Sequence, residues 1–249
     1  MTPRSVNGSN KCAKELSFLI IKDAIRLIDY LATMTKFKGL LKASHFGPTL
    51  IVTTIAFLFA TYYWWEGPAY VIAFGVFTGQ LVVGWSNDLI DYEDDQRHNR
   101  TNKPLVSGQI TKVFLQKWLR FMVPFSFIAN IAGPLGLKGG LVYMLGIACG
   151  VTYNFYFKFS PLSPLPYAIA FAALPSSIAI SKEITPPTWM WLGGALFGMA
   201  AHFINVIKDM KEDHVSGIQG LPQKLGTQGS IIAAIILVAL GITTLVLFL

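Results

Sequence analysis

The chain has 249 residues, of which 53% are hydrophobic and 13% are charged, and its mean hydropathy is +0.52. Soluble domains carry about 25% charged residues, so this composition excludes an ordinary soluble domain and indicates a membrane protein. A helix needs about 20 apolar residues to cross a bilayer, so the length leaves room for about seven to nine spans and excludes a separate soluble domain. The two cysteines, Cys12 and Cys149, are too few for a disulfide framework, a cysteine zinc site or an iron–sulfur cluster.

The chain divides into an N-terminal tail, residues 1–42, and a membrane domain, residues 43–249. Within the tail, residues 13–42 mix apolar side chains such as Leu27 and Leu31 with charged ones such as Arg26, which predicts an amphipathic helix at the membrane surface. Apolar runs in the rest predict an all-α transmembrane helix bundle of about seven spans. The predicted spans are 49–65, 68–87, 113–133, 139–157, 164–181, 188–207 and 230–249.

The 20 Lys and Arg residues are distributed very unevenly over the predicted connections. Eighteen lie in the N-terminal tail or in alternate connections, and only Lys138 and Lys182 lie in the opposite loops. Cytoplasmic loops carry an excess of positive charge, so the N-terminus and the basic loops are predicted to be cytoplasmic and the C-terminus to lie outside. This sorting explains the net charge of +7 without a nucleic-acid partner.

Acidic residues concentrate in two windows, 88–95 and 209–213, each at the cytoplasmic end of a predicted span. Both windows follow the spacing Asn-x3-Asp-x3-Asp, which places the three side chains on one helix face. Such rows of like charge destabilise a helix and are costly at a membrane boundary, so we expect them to bind a cation. Oxygen ligands favour Mg²⁺, with Mn²⁺ as an alternative. The candidate ligands are Asn87, Asp88, Asp91, Asp95, Asp209 and Asp213.

Basic residues near the windows are candidates for binding a second ligand. Mg²⁺ usually binds through one or two carboxylates together with substrate phosphate oxygens, so two facing rows imply a polyphosphate, and a diphosphate is the natural candidate. Lysine and arginine would neutralise the phosphate oxygens that the metal does not reach. The candidates for this role are Arg97, Arg100, Lys103, Lys158 and Lys208. The candidates that line a cavity beside them are Tyr153, Asn154, His202 and Asn205.

The run Asn87–Gly108 resembles the first aspartate motif of the UbiA superfamily of intramembrane prenyltransferases, which includes terpene cyclases, and the run Asp209–Gly226 resembles the second. The segment Tyr153–Pro161 is similar to the family's segment between its fourth and fifth helices. The resemblance covers residues 40–230 and implies a helical bundle around a central cavity that opens to the cytoplasmic side. It also implies Mg²⁺, a prenyl diphosphate substrate and transfer of the prenyl group. The catalytic residues that it implies are Asp91, Asp95, Asp209, Asp213 and Lys158.

Two features depart from the family pattern. Typical members have nine membrane helices, whereas one apolar span follows the second motif here. Lys103 stands where the family more often has arginine before Pro-Leu, which keeps the charge but loses the bidentate fork.

Loss of the diphosphate would leave the prenyl group as a carbocation. The residues do not decide what attacks that cation. Attack by an aromatic or other lipophilic acceptor would make the protein a prenyltransferase, which is the family's usual activity. Attack by the prenyl chain's own double bond would make it a terpene cyclase. A transporter or non-catalytic scaffold is a weaker interpretation, because transporter sites lie near the bilayer midplane and these carboxylates lie at one membrane face.

Overall fold

The computed structural model describes the backbone of residues 6–249 and the side chains of residues 22, 23 and 26–249. Long helices follow one another over this part of the chain, with no strand between them. A 3-10 turn, Phe157–Phe159, precedes the sixth helix, and a π-helical turn, Trp189–Gly193, leads into the seventh. The all-α prediction is confirmed. The helices are α1 (Val6–Ala43), α2 (Phe46–Tyr63), α3 (Glu66–Arg97), α4 (Lys112–Ala132), α5 (Gly136–Phe155), α6 (Pro164–Ile180), α7 (Gly194–Val215) and α8 (Leu221–Phe248).

Helices α2 to α8 occupy the positions of the seven predicted spans. By length and composition, α2, α3, α8 and α7 with its π-helical turn are able to cross a membrane on their own. Helix α6 is apolar but has only 17 residues. Helix α4 carries Lys112, Lys117 and Arg120 in its first half, and α5 contains Lys138 and several glycines. Helix α6 is therefore short for a membrane span, and neither α4 nor α5 contains a stretch as long and apolar as those of the four helices that can cross a membrane on their own.

Two helices are longer than their apolar runs. Helix α3 continues past residue 87 to Arg97, so the first acidic window is helical throughout. It ends where Asn99 adopts a positive φ of 49°. Helix α8 begins at Leu221 rather than at residue 230 and is interrupted at Gly226, whose φ of 69° belongs to the left-handed region that glycine tolerates. Hydropathy marks the membrane-embedded part of a helix, whereas backbone hydrogen bonds set its ends.

Helix α1 covers the predicted amphipathic segment. Leu27, Ile28 and Leu31 are more than half exposed on it. The side chains of Leu16, Leu19 and other apolar residues that contributed to the amphipathic pattern lie outside the described residues, as does that of Cys12. The placement of α1 at a membrane surface stays a prediction.

Successive helices reverse direction, so their connections gather at two ends of the bundle. At one end Trp64, which follows α2, donates from Nε1 to Ser181 Oγ at 3.1 Å, and Lys182 Nζ lies 4.1 Å from the centroid of the Trp64 ring. We call this the aromatic end. At the other end, where α3 and α7 finish, Trp85 Nε1 donates to the carbonyl oxygen of Leu40 at 3.0 Å. We call this the acidic end, and its cytoplasmic orientation stays a prediction.

Buried polar side chains join the central helices. Asn130 on α4 donates from Nδ2 to the carbonyl oxygens of Gly75 at 3.0 Å and of Ser126 at 2.8 Å. Tyr143 on α5 donates to the carbonyl oxygen of Val76 at 2.9 Å. Hydrogen bonds between helices hold a bundle together where lipid supplies neither donors nor acceptors. Helices α4 and α5 are therefore fixed on α3, the helix that carries the first acidic window.

The corner between α1 and α2 packs tightly on α3. A Cβ atom at Gly84 would lie 2.5 Å from the carbonyl oxygen of Ser44, so the two backbones touch at this glycine. Ala43 and Ser44 in the corner are almost fully buried. Gly84 lies one turn before Asp88, and the contact therefore sets the position of the corner relative to the acidic window.

We expect Gly84→Ala to lower the free energy of unfolding by about 1–3 kcal/mol, because the added methyl group overlaps backbone atoms that cannot rotate away. The measurement is the thermal unfolding midpoint in detergent. Gly47→Ala is the matched control, since a Cβ atom there meets nothing within 4 Å. Equal midpoints for both variants would contradict the close contact.

Candidate active site

The two acidic windows lie at the same end of the bundle and are joined through Ser216 and Arg100, which lie just outside them. Ser216, which follows α7, donates from Oγ to Asp94 Oδ2 of α3 at 2.8 Å. Within the first window, Asp88 and Asp95 are only 1% and 2% exposed. Burying an ionised carboxylate is costly unless a positive charge or hydrogen-bond donors compensate it. The surroundings of these carboxylates supply both.

Asp88 is paired with Lys103 from the loop that follows α3. Lys103 Nζ lies 2.8 Å from Asp88 Oδ1 and 3.9 Å from Asp95 Oδ2. His45 at the corner between α1 and α2 lies with Nε2 3.3 Å from the same oxygen of Asp88. Burial lowers the pKa of the Lys103 ammonium, but the Asp88 and Asp95 carboxylates outweigh this and raise the pKa above its ordinary value. Lys103 is therefore positively charged at neutral pH.

Arg100 pairs with Asp95 and connects the two windows. Its Nη1 lies 2.7 Å from Asp95 Oδ1 and 3.5 Å from Asp94 Oδ2. Its Nη2 donates to Ser216 Oγ at 2.9 Å, and its Nε lies 3.8 Å from Glu212 Oε2 on α7. Burial opposes the charge, but the hydrogen bond to Asp95 and the nearby carboxylates raise the pKa of the guanidinium above its ordinary value. One side chain thus joins the loop after α3 to the end of α7.

Asp91 is held by residues from another part of the chain. Lys158, in the 3-10 turn Phe157–Phe159, donates from Nζ to Asp91 Oδ1 and is itself 7% exposed. Asn87 donates from Nδ2 to the other carboxylate oxygen of Asp91 at 3.0 Å and to Asn154 Oδ1 at 3.0 Å. The two oxygens of Asp91 therefore have different partners, one a cation and one an amide.

The second window is more open. Asp213 accepts a hydrogen bond from Gln223 Nε2 at 2.7 Å. The Asp209 side chain is 49% exposed, and its nearest basic partner is its neighbour Lys208 at 4.0 Å. Lys208 and Arg97 are exposed, and among the described contacts neither joins the network around the first window. The structure therefore gathers Arg100, Lys103 and Lys158 at the carboxylates and leaves these two basic residues at the rim.

An aromatic cluster lies beside the second window. His202 is 1% exposed, and its Nε2 is 3.0 Å from Ser163 Oγ. The Tyr153 and Tyr167 rings pack against it, with centroids 5.5 Å and 4.6 Å from the imidazole. Asn205, one turn further along α7, is exposed. The predicted cavity residues Tyr153 and His202 thus contact each other, whereas Asn154 belongs to the Asp91 network.

An open apolar groove of about 400 Å³ lies between α7 and α8, lined by isoleucine, valine and alanine side chains. It includes Ile204 and Ile207, which flank Asn205 and Lys208 on α7. It lies between two helices rather than at the carboxylates. A central cavity that opens at the acidic end stays a prediction.

The sequence matches the model of the UbiA prenyltransferase family over residues 49–249. The chain belongs to the UbiA prenyltransferase family. Membership makes it an integral membrane protein of the prenyltransferase type. No curated protein sequence matches the chain.

Three solved structures are similar in fold to this chain. Their sequence identities are low, so the similarity shows the fold and not the activity. A UbiA homologue from Archaeoglobus fulgidus, bound to Cd²⁺, is 15% identical with a TM-score of 0.66 over 83% of this chain and 76% of that one. An apo UbiA homologue from Aeropyrum pernix K1 is 19% identical with a TM-score of 0.63 over the same shares. A structure reported for digeranylgeranylglyceryl phosphate synthase is 18% identical with a TM-score of 0.61 over 84% and 76%.

UbiA enzymes depend on a divalent metal, and the donor atoms at the acidic end suit a hard cation. In the part of the chain that the structure describes, no three His, Cys, Asp or Glu side chains converge on one point that could hold a metal ion. The donors are nonetheless carboxylate oxygens, as Mg²⁺ and Mn²⁺ prefer. Asp88 Oδ2 is buried and has no hydrogen-bond partner, so one oxygen is free to bind a cation. The residues fit the metal chemically, and the ligand assignments stay predictions.

Several side chains at this site lie outside the predicted set. They are His45 beside Asp88, Ser216 between Asp94 and Arg100, and Gln223 on Asp213. Gln223 directly follows the Gly-Leu-Pro run of the second motif, so its position was a usable signal. Ser216 lies within the second motif, directly before Gly217, and carries a similar signal. His45 carries none, because its contact with Asp88 comes from the folding of a distant segment.

We expect Arg100→Gln to lower the free energy of unfolding by about 1–3 kcal/mol, because the buried Asp95 loses its closest cation. The thermal midpoint in detergent measures this effect. Arg97→Gln is the matched control, since Arg97 is exposed and its loss should leave the midpoint within error. A larger effect for Arg97→Gln than for Arg100→Gln would contradict the pairing.

Proposed function

We propose that this UbiA family member is a Mg²⁺-dependent intramembrane prenyltransferase that ionises an allylic prenyl diphosphate and transfers the prenyl group to an aromatic or other lipophilic acceptor. Mn²⁺ is a second candidate metal. The observation that carries the proposal is the set of three α3 carboxylates, Asp88, Asp91 and Asp95, each paired with a basic side chain. The contact of Arg100 with Ser216 brings the second acidic window to the same place.

The residues divide into two roles in this proposal. Carboxylates of both windows would hold the metal, and basic residues of the connecting loops would hold the diphosphate. A bound divalent cation would supply charge neutralisation on the departing diphosphate. The proposed metal ligands are Asn87, Asp88, Asp91, Asp95, Asp209 and Asp213. The proposed diphosphate contacts are Arg100, Lys103 and Lys158, with Arg97 and Lys208 at the rim.

The proposed reaction begins with cleavage of the bond between the allylic carbon and the diphosphate oxygen. The electron pair leaves with the diphosphate, where Arg100, Lys103 and Lys158 bind the growing negative charge. The carbon chain is left with a positive charge. The Tyr153 and Tyr167 rings, packed edge to face at 5.2 Å, are placed beside the second window where aromatic faces attract a cation. The acceptor then forms a bond to the cationic carbon and loses a proton.

Replacing a proposed metal ligand of either window should remove turnover without unfolding the protein. We expect Asp91→Ala and Asp209→Ala to slow diphosphate release by about 100-fold or more, because each removes a proposed metal ligand. The measurement is the release of diphosphate from a prenyl diphosphate in the presence of Mg²⁺ and a lipophilic acceptor, and EDTA should have the same effect on the wild type. Glu93→Ala is the control, since the Glu93 side chain is 71% exposed. Near-normal turnover in Asp91→Ala or Asp209→Ala would overturn the metal assignment.

An incubation without acceptor separates the prenyltransferase from a terpene cyclase. The purified protein is given Mg²⁺ and, in separate reactions, geranyl, farnesyl or geranylgeranyl diphosphate, and the hexane extract is analysed by mass spectrometry. We expect intact substrate, because a prenyltransferase needs an acceptor to complete the reaction. A cyclic hydrocarbon or terpene alcohol that disappears with EDTA would make the protein a cyclase.

A further inference from the structure

Each of the three proposed metal-binding carboxylates of the first window has a basic partner within the chain, and these partners are residues proposed to bind diphosphate. Lys103 lies on Asp88, Lys158 on Asp91 and Arg100 on Asp95. The same groups would therefore serve two ligands. The carboxylates bind either a chain cation or a metal, and the cations bind either a carboxylate or a diphosphate.

Lys158 is the basic side chain best suited to change partners. Arg100 is also held by Asp94 and Ser216, and Lys103 lies within reach of two carboxylates. Among the described contacts, Lys158 has Asp91 as its one carboxylate partner. It extends from the short 3-10 turn Phe157–Phe159 on a flexible stem of four carbons. A change of partner at Lys158 therefore breaks one ion pair rather than a network.

The orientation of the Asp91 carboxylate does not depend on Lys158 alone. Lys158 occupies Oδ1 of the carboxylate, while Asn87 donates to Oδ2 and is itself fixed to Asn154. The amide bond keeps the carboxylate oriented when Oδ1 becomes free. Oδ1 is then available to a metal without rearrangement of α3.

Neither member of the pair can be left alone at low cost. Lys158 is 7% exposed and the Asp91 side chain 21% exposed, and removal of one partner from a largely buried pair leaves an uncompensated charge. A metal bound to Asp91 without diphosphate would leave the Lys158 ammonium without a counter-charge. A diphosphate bound to Lys158 without metal would leave the Asp91 carboxylate without one. Each ligand is therefore penalised by the ion pair unless the other ligand is also present.

We infer that Asp91 and Lys158 exchange partners on ligand binding: Asp91 Oδ1 passes from Lys158 to the divalent metal, and Lys158 Nζ passes from Asp91 to the diphosphate. This inference rests on the proposed function. The ion pair makes the binding of metal and diphosphate cooperative, since each ligand releases the group that the other needs. Lys158 thus acts as a competitor of the metal as well as a contact of the diphosphate.

The test measures binding rather than turnover. Mn²⁺ binding to the purified protein is titrated by electron paramagnetic resonance, and inorganic diphosphate binding by calorimetry, with Mn²⁺ or with EDTA. We expect Lys158→Gln to bind Mn²⁺ alone about 10-fold more tightly than the wild type, and to bind diphosphate in the presence of Mn²⁺ about 10-fold more weakly. Lys158→Arg, which keeps the competing charge, should bind Mn²⁺ alone as the wild type does.

A reciprocal variant tests the exchange from the other side. Asp91→Asn removes the partner of Lys158, so we expect it to bind diphosphate in EDTA more tightly than the wild type, although it has lost a proposed metal ligand. A Lys158 that only supports the fold would weaken both ligands in Lys158→Gln. A Lys158 that only contacts diphosphate would leave the affinity for Mn²⁺ alone unchanged.

The outcomes separate this inference from the proposed function. If the wild type binds Mn²⁺ and diphosphate together, but Lys158→Gln does not gain affinity for Mn²⁺ and Asp91→Asn does not gain affinity for diphosphate, the exchange is wrong and the proposed function stands. If the wild type binds neither ligand even when both are present, the proposed function fails and the exchange fails with it. Thermal midpoints of all variants establish that the proteins compared are folded.

Discussion

Carboxylates buried at the end of a membrane helix need positive charge beside them, and the acidic end of this protein is organised around that requirement. Asp88 and Asp95 are almost fully buried on α3, where an unpaired charge would be prohibitive. Their partners Lys103 and Arg100 come from the loop that follows the same helix. Because Arg100 also reaches Ser216, neutralising the first window brings the end of α7 to it. Charge compensation and the arrangement of the site thus depend on the same contacts.

Uncharged contacts between the helices position these carboxylates and their basic partners. The backbone approach at Gly84 places the corner between α1 and α2 one turn from Asp88 and brings His45 beside that carboxylate. Asn130 and Tyr143 bond to backbone carbonyl oxygens of α3 and hold α4 and α5 against it. With α5 fixed, the turn that carries Lys158 meets Asp91. The position of the charged side chains therefore depends on contacts between uncharged residues.

Sequence patterns were most informative where the information is local. Hydropathy located the helices α2 to α8, and the repeated Asn-x3-Asp-x3-Asp spacing located both acidic windows. The predicted spans stop short of the helix ends, because the apolar run of α3 stops at residue 87 while its hydrogen bonds continue to Arg97. Proximity in sequence did not separate the predicted basic residues by burial: Arg97 and Lys208 adjoin the windows and are exposed, whereas Lys158 meets Asp91 across 67 residues. Such pairings depend on how the helices pack against one another, so they cannot be predicted from the spacing of residues along one helix.

The alternating direction of the helices constrains how this architecture can change. Helices α3 and α7 both run towards the acidic end because an odd number of helices, α4, α5 and α6, lies between them. Loss or gain of a single intervening helix would send the two windows to opposite ends, some 30 Å apart across a bilayer. Insertion or loss of two helices as a hairpin would leave them together. The site therefore tolerates variation in helix number only in even steps, a parity rule that the charges alone would not impose.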